Sequence, residues 1–352
     1  MSGQDDHPTP HSSSANAGNP RHVTVAIVAL IAVWLILCRP WFFGNRVVPY
    51  DSKDQFYPAL SFVSQSLRAG ELPCWNPYIY GGYPMCSDPQ SMMFSPLALG
   101  LMLLANKPTM QWFDGIELFH LLLGAIGILL LAVRFRWSAL SGLFAGLVYM
   151  FGGSAAARMQ HVPIILAYSY FPFALLTLDL ALRTNRLRWA ACFGFVAGIM
   201  AAHQVQVSYL FSLVLIGYGL YTIASAESIR HFLATRWRTL AVATFTGIVV
   251  LAIPIYLTLQ FLPLSTRPGV SYETAVSDSL HPLAFLTLLA RNFFSNSNIY
   301  LYWGGGDITE TYFYIGIVPI VLIAAYGIPS GILFERKFRQ LYTCHTKSMY
   351  NT

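Results

Sequence analysis

Long apolar runs decide what this chain can fold into. Of its 352 residues, 55% are hydrophobic and only 10% are charged, and the mean hydropathy is +0.53. Several runs hold roughly 15 to 23 mostly apolar residues, close to the length of about 20 that a helix needs to cross a bilayer. Soluble domains rarely carry so many such runs. The sequence therefore predicts an all-α polytopic membrane protein.

About eight segments have the length and hydropathy of membrane spans. The first follows Arg21 and ends at Arg39-Pro40-Trp41 without a small-residue cleavage site, so we interpret it as a retained span. The segment 92–105 has only about 14 residues, too few to cross, and is expected at the outer surface or re-entering it. The predicted spans are 23–43, 112–133, 139–152, 162–182, 189–202, 207–224, 240–262 and 312–334.

The basic residues predict the orientation of these spans. Four clusters of them lie on the connections that follow alternate spans, at 134–136, 183–188, 230–238 and 336–339. Positive clusters favour the cytoplasmic side, which places the N-terminus there as well. The net charge of +6 thus reflects membrane topology, and nucleic acid is not an expected partner. The predicted external loops are 44–111 and 263–311, with a disordered cytoplasmic tail at 1–20 and a second cytoplasmic tail at 335–352.

The first external loop carries the densest polar chemistry. Asp51 and Asp54 fit a general base with its orienting partner, or ligands of a divalent cation, or a helix cap. Ser52 and Gln55 have capping-box spacing, and an amphipathic helix with apolar residues 56, 60, 63 and 67 is expected to lie in the membrane interface. Asp88 and Gln90 follow, and an ordinary Asx turn explains Asp88 equally well.

The other predicted external turns add further polar side chains. Arg158, Gln160 and His161 suit an anionic group such as phosphate, although snorkelling also explains the arginine. His203 and Gln206 lie between two apolar helices, where hydrogen bonding between helices is the alternative role. Asp307 and Glu310 follow a Gly-rich stretch that has neither P-loop nor dinucleotide-binding spacing. All these residues are predicted to face one external cavity.

Several strings resemble one bacterial family. The run DSKDQFYPALSFVSQSLRAGELPCWNPYIYGGYPMCSDPQSMMFSPL at 51–97 is similar to the first external loop of YfhO-like membrane proteins, which belong to the GT-C glycosyltransferases. Met159-Gln160-His161, the HQVQVSY turn at 203–209 and YWGGGDITETYFYIGIVPIVL at 302–322 fit the same family. Family members are longer, so the chain resembles an N-terminal portion or a truncated product.

The resemblance implies a GT-C-like fold and an inverting glycosyltransferase in the bacterial cytoplasmic membrane. The donor would be a polyprenyl-phosphate sugar, and the acceptor a glycan, lipid or protein of the cell envelope. Asp54, or Asp51 in its place, would be the base, and Arg158 and His161 would stabilise the leaving phosphate. Asp88, Gln90, Gln160, His203, Gln206, Asp307 and Glu310 would shape the sugar and acceptor pockets.

Two other functions remain open at this point. A transporter or flippase of a lipid-linked or small polar substrate would also place polar residues at span ends. Such a protein is expected to carry polar or broken helices at mid-membrane depth, whereas the sequence indicates few charges inside these spans. An inactive truncated scaffold is the third interpretation. The sequence does not decide whether Cys74 and Cys86, in the same loop, pair or stay reduced.

Overall fold

A computed structural model describes residues 19–265, 269–277, 279–295, 301–304 and 308–327. Regular structure in these residues is helical, apart from an isolated antiparallel bridge between Asn76 and Tyr83. They form two compact units, one of residues 19–151 with 158–275 and one of residues 152–157 with the described residues from 276 onward. The terminal tails predicted at 1–20 and 335–352 lie almost entirely outside the described residues.

The described residues form twelve α-helices, and shorter 3-10 and π-helical turns lie between some of them. They are α1 Pro20–Phe43, α2 Tyr57–Arg68, α3 Pro96–Leu104, α4 Met110–Arg134, α5 Ala139–Phe151, α6 Gly153–Arg158, α7 Val162–Thr184, α8 Leu187–Ala202, α9 Gln206–Ala224, α10 Ile229–Phe261, α11 Tyr272–Val276 and α12 Ile317–Leu322.

Six helical segments are long and apolar enough to cross a membrane, which makes the chain an α-helical polytopic membrane protein. They are Pro20–Phe43, Met110–Arg134, Ala139–Arg158, Val162–Thr184, Gln206–Ala224 and Ile229–Leu264. The fifth predicted span, 189–202, coincides with α8, an apolar helix of only 16 residues. The eighth, 312–334, is described only to residue 327, so the count of eight stays a prediction.

Side-chain exposure along α9 and α10 fits a lipid environment. Ile216 on α9 and Ile248 and Ile253 on α10 are each more than half exposed. Long runs of outward-facing aliphatic side chains would be costly in water but are solvated well by acyl chains. These helices therefore present their apolar surface to the bilayer.

The first external loop packs onto the helix bundle through its apolar stripe. Phe56, Leu60 and Val63 are buried, and Phe56 and Leu60 belong to a cluster with Met102 of α3 and Phe113 of α4. The predicted amphipathic helix is thus present as α2, and the buried residues of its stripe face protein. Its position in the membrane interface stays a prediction.

Arg68 joins α2 to α3. Its guanidinium donates to the carbonyl oxygens of Leu103 and Ala105 and to Asn106 Oδ1. The last carbonyls of a helix have no partner inside it, so this arginine caps the end of α3. With nine residues, α3 is too short to cross a bilayer, as the sequence indicated for 92–105.

Glycines allow the close packing of α8 against α10. A Cβ on Gly194 would collide with the carbonyl oxygen of Ala243, and one on Gly198 would lie 2.8 Å from the Val250 side chain. Gly194 and Gly198 are four residues apart and therefore share one face of α8. Small residues at this spacing let membrane helices approach backbone to backbone.

A buried carboxylate joins α4, α7 and α9. Asp179 of α7 is 1% exposed, and its oxygens lie 2.7 Å from Arg134 Nε and 2.5 Å from Arg183 Nε. The Tyr218 hydroxyl of α9 donates to the same carboxylate. Two arginines and a hydroxyl compensate this charge, so the cluster ties three helices together near the arginine-rich end of the bundle.

The second unit centres on Thr287. Its hydroxyl donates to the Thr311 carbonyl at 2.8 Å and accepts from the Phe313 N–H at 3.1 Å. An aromatic group follows Thr287 in the chain, in which the rings of Phe293, Phe294 and Trp303 contact one another. The Gly153 N–H donates to the Tyr314 carbonyl at 2.6 Å, an approach that a side chain at 153 would block.

We expect Asp179→Asn to lower the free energy of unfolding by about 3 kcal/mol, since it leaves two partly buried arginines without their counter-charge. The loss should appear as a lower melting temperature of purified protein in detergent. Glu227→Gln is the control, because Glu227 is exposed on the α9–α10 connection. Equal melting temperatures for Asp179→Asn and wild type would contradict the structural role of the cluster.

The predicted orientation can be tested with single-cysteine variants. A variant that keeps only Cys74, which is exposed in the first loop, should react with a membrane-impermeant maleimide on intact cells. A variant that keeps only Cys344, in the predicted cytoplasmic tail, should react only after permeabilisation. The reverse pattern would invert the topology.

Candidate functional site

The loop 44–111, predicted to be external, contains a wide helical turn at Ser52–Phe56 that runs directly into α2. The N–H groups of Lys53 and Asp54 both donate to the Tyr50 carbonyl, and Asp51 is the residue at the N-terminal boundary. The capping-box prediction for Ser52 and Gln55 was wrong. Ser52 is fully buried inside the turn, and Gln55 uses its side-chain amide elsewhere.

The structure brings Asp51 and His161 together. Asp51 Oδ2 lies 3.6 Å from His161 Nε2, although the two residues are 110 positions apart in the chain. The His161 side chain is 21% exposed and the Asp51 side chain is 50% exposed, so the pair sits at a surface that water or a ligand can reach. A carboxylate beside an imidazole can orient it and share its proton.

Asp54 occupies a different environment from Asp51. Its side chain is 74% exposed, and its carboxylate lies 4.0 Å from Lys53 Nζ, which is itself exposed. Ion pairs between exposed side chains fix geometry weakly. Asp54 is therefore accessible but not held in place, whereas Asp51 contacts a second element of the chain.

Asp88 and Gln90 connect the exit of the loop to its beginning. Asp88 accepts from the Gln90 N–H at 2.8 Å and from the Tyr83 hydroxyl at 3.3 Å, and burial raises the pKa of its carboxyl group. The Asx turn considered for Asp88 is present. Gln90 Oε1 accepts from Gln55 Nε2 at 2.9 Å, which links the DPQ segment to the turn that follows Asp51.

The remaining predicted residues of the first unit occupy separate positions. Arg158 and Gln160 are half-buried in the segment that ends at His161. Gln206 is exposed at the start of α9. His203 is 2% exposed and packs inside the bundle, so the structure does not place it beside Asp51 and His161.

Two further predicted residues belong to the second external segment. Glu310 is exposed and ends the one-turn 3-10 helix Ile308–Glu310 of the second unit. Asp307 lies outside the described residues. Their proposed roles in binding sugar or acceptor stay predictions.

Sequence reasoning missed a group of ionisable residues inside α4. Asp114, Glu117 and His120 follow one another at intervals of three residues, and each is 0% exposed. Asp114 Oδ2 accepts from the Val48 N–H at 2.9 Å. Within the described part of the chain, Asp114 Oδ1 and both carboxyl oxygens of Glu117 have no hydrogen-bond partner.

A chain of aromatic and imidazole groups continues from this triplet. His120 Nδ1 lies 2.7 Å from the Ile116 carbonyl, so this nitrogen is the donor. In the neutral ring Nε2 then accepts from the Tyr170 hydroxyl of α7 at 3.3 Å. The Tyr170 ring stacks on His203 with centroids 6.3 Å apart. His203 therefore packs beside Tyr170, which bonds to His120 of α4, and it is not part of the loop.

The missed residues had a signal in the sequence. Asp, Glu and His at 114, 117 and 120 stand within the predicted span 112–133, and spacing of three places them along one helix face. Ionisable residues within spans are rare and functional by default. The expectation of few charges inside the spans was therefore wrong for α4. The average hydropathy of this segment is high although it contains two carboxylates.

The described residues hold no group of three or more His, Cys, Asp or Glu side chains placed to bind a metal ion. Asp51 and Asp54 alone offer fewer oxygen ligands than a divalent cation usually takes. Cys74 lies within hydrogen-bonding reach of Cys86, and both are free thiols. Their pairing stays open.

The fold defines a polytopic α-helical membrane protein with a structured polar loop beside the first span. Comparison with family models, with curated proteins and with solved structures found no match. The resemblance to YfhO-like proteins therefore stays a hypothesis, carried by the quoted strings.

The contact between the loop and the α6–α7 turn can be tested by cross-linking. In a cysteine-free background, Asp51→Cys with His161→Cys should be joined by a short bifunctional thiol reagent, since the tips of the native side chains lie 3.6 Å apart. Glu227→Cys with His161→Cys is the control and should not be joined, because Glu227 follows α9 beyond Tyr218, which contacts Asp179 far along α7 from His161. Equal yields from both pairs would contradict the geometry.

Proposed function

We propose that the chain is a GT-C-type glycosyltransferase, similar to YfhO-like proteins, that moves a sugar from a polyprenyl-phosphate carrier to an acceptor on the outer face of the cytoplasmic membrane. The observation that supports this most is the contact between Asp51 and His161. It joins the two segments that the sequence independently suggested for base catalysis and for phosphate binding.

The contact favours Asp51 over Asp54 as the base. A general base must be held near the proton it removes, and Asp51 is oriented by His161 while Asp54 is mostly exposed. In the proposed reaction Asp51 takes the proton of the acceptor hydroxyl as that oxygen bonds to the anomeric carbon. The bond between this carbon and the phosphate oxygen breaks, with inversion at the carbon, and polyprenyl phosphate leaves.

The departing phosphate needs positive charge or hydrogen-bond donors. His161 and Arg158 are three residues apart on the segment beside Asp51, and a guanidinium suits phosphate oxygens because it offers paired donors. Gln90 and Gln55 lie on the loop that carries Asp51 and are suited to hydroxyl groups of a sugar. No step of this mechanism requires a metal ion.

We expect Asp51→Asn to abolish sugar transfer in membranes supplied with labelled polyprenyl-phosphate sugars, because an amide cannot accept the proton. Asp54→Asn should retain most of the activity, and Glu227→Gln should behave as wild type. Full activity of Asp51→Asn together with loss in Asp54→Asn would move the base to Asp54. Absence of product from folded wild-type protein with every donor tried would refute the proposed function.

Transport of a polar or lipid-linked substrate is the second candidate function. It is favoured by the carboxylates of α4, because polar groups at depth in the bilayer are what a transport route requires. Reconstituted vesicles distinguish the two functions: a transporter changes the side on which a labelled lipid-linked sugar is found without consuming it, whereas a transferase consumes it.

A further inference from the structure

Glu117 of α4 has an environment unlike that of Asp179 of α7, although both carboxyl groups are buried. It is 0% exposed, and neither carboxyl oxygen has a hydrogen-bond partner among the described residues. An ionised carboxylate without partners is among the costliest groups to bury, and proteins avoid that cost by pairing or by neutralising it. Asp179 is paired with two arginines, while Glu117 has no such partner.

Among the residues that the structure describes, the neighbours of Glu117 supply no positive charge. On the same helix, Asp114 is acidic and His120 is satisfied as a neutral ring by Ile116 and Tyr170. Of the elements packed against α4, α3 has no ionisable side chain and α5 has only Tyr149, whose hydroxyl donates to Tyr168.

The described residues of α1 and α7, which also pack against α4, likewise bring no positive charge to Glu117. Towards α1, Cys38 is buried and Arg39 is exposed. On α7, Tyr170 is bonded to His120. Arg183 lies several turns further along α7 and is paired with Asp179. Beyond Tyr170 lies His203, which stacks on the tyrosine ring.

The two carboxyl groups of α4 are not equivalent. Asp114 receives one backbone donor, the Val48 N–H, which stabilises its charged form. Glu117 receives none, and the two residues are three apart, so their side chains lie on one helix face. Two like charges there would repel each other in a medium of low dielectric constant.

We propose that Glu117 is a proton-binding site within the membrane domain, neutral as a carboxylic acid, with the Asp114 carboxyl group beside it on the same helix face. The reaction is addition of one proton to the Glu117 carboxylate, without any redox change. A metal ion is a poorer occupant, because it would need more oxygen ligands than this pair offers.

Infrared spectroscopy of the full chain in nanodiscs tests the proposal directly. At neutral pH the wild type should show the C=O stretch of a protonated carboxylic acid, and this band should disappear in Glu117→Gln. Asp179→Asn is the matched control: Asp179 is equally buried but is paired with arginines, so its loss should leave the band in place. A wild type without the band, or a band lost only in Asp179→Asn, would overturn the proposal.

Chemical labelling of the wild type gives a second test that needs no variant to fold. The apolar reagent dicyclohexylcarbodiimide reacts with protonated carboxyls, so peptide mass spectrometry should find its adduct on Glu117 and not on Asp179, with labelling that declines as pH rises. In Asp114→Asn the decline should move to lower pH, because removal of a neighbouring negative charge makes Glu117 easier to ionise. An adduct on Asp179 in place of Glu117, or labelling of Glu117 that is independent of pH, would refute the proposal.

Discussion

The hydrocarbon core of a bilayer offers no hydrogen bonds, and this constrains the backbone, the helix ends and the buried side chains of the protein. The backbone meets the constraint by forming helices, so the long apolar runs become α1, α4, α7, α9 and α10. Where a helix ends, another group must complete it, as Arg68 does for the last carbonyls of α3. Side chains obey the same rule, which is why Asp179 collects two arginines and a tyrosine.

The parts of the fold that depend on hydropathy could be predicted from sequence. Each span predicted up to residue 262 coincides with a helix, and α2 carries the expected apolar stripe. The capping-box prediction at Ser52 was wrong because the helical turn begins one residue earlier, at Asp51, and leaves Ser52 buried inside it. A shift of one residue at a helix start is not specified by the spacing of Ser and Gln alone.

The candidate site shows the same division between local and long-range information. Asp51 and His161 were each identified by residue type, but their contact joins segments 110 positions apart, and no periodicity reports such a distance. Topology and the family resemblance placed His203 with them, yet it packs beside Tyr170 inside the bundle. The α4 carboxylates had a sequence signal, and averaging over the span concealed it.

The short helix α8 has a consequence for the bilayer itself. Its 16 residues extend for about 24 Å, whereas the hydrocarbon core is about 30 Å thick. Gly194 and Gly198 hold it against α10, which is twice as long, and any tilt would reduce the reach of α8 across the bilayer further. If α8 crosses the membrane, the bilayer beside it is expected to be locally thinner. Such a thinned region would lower the distance that a polar headgroup has to travel along this side of the protein.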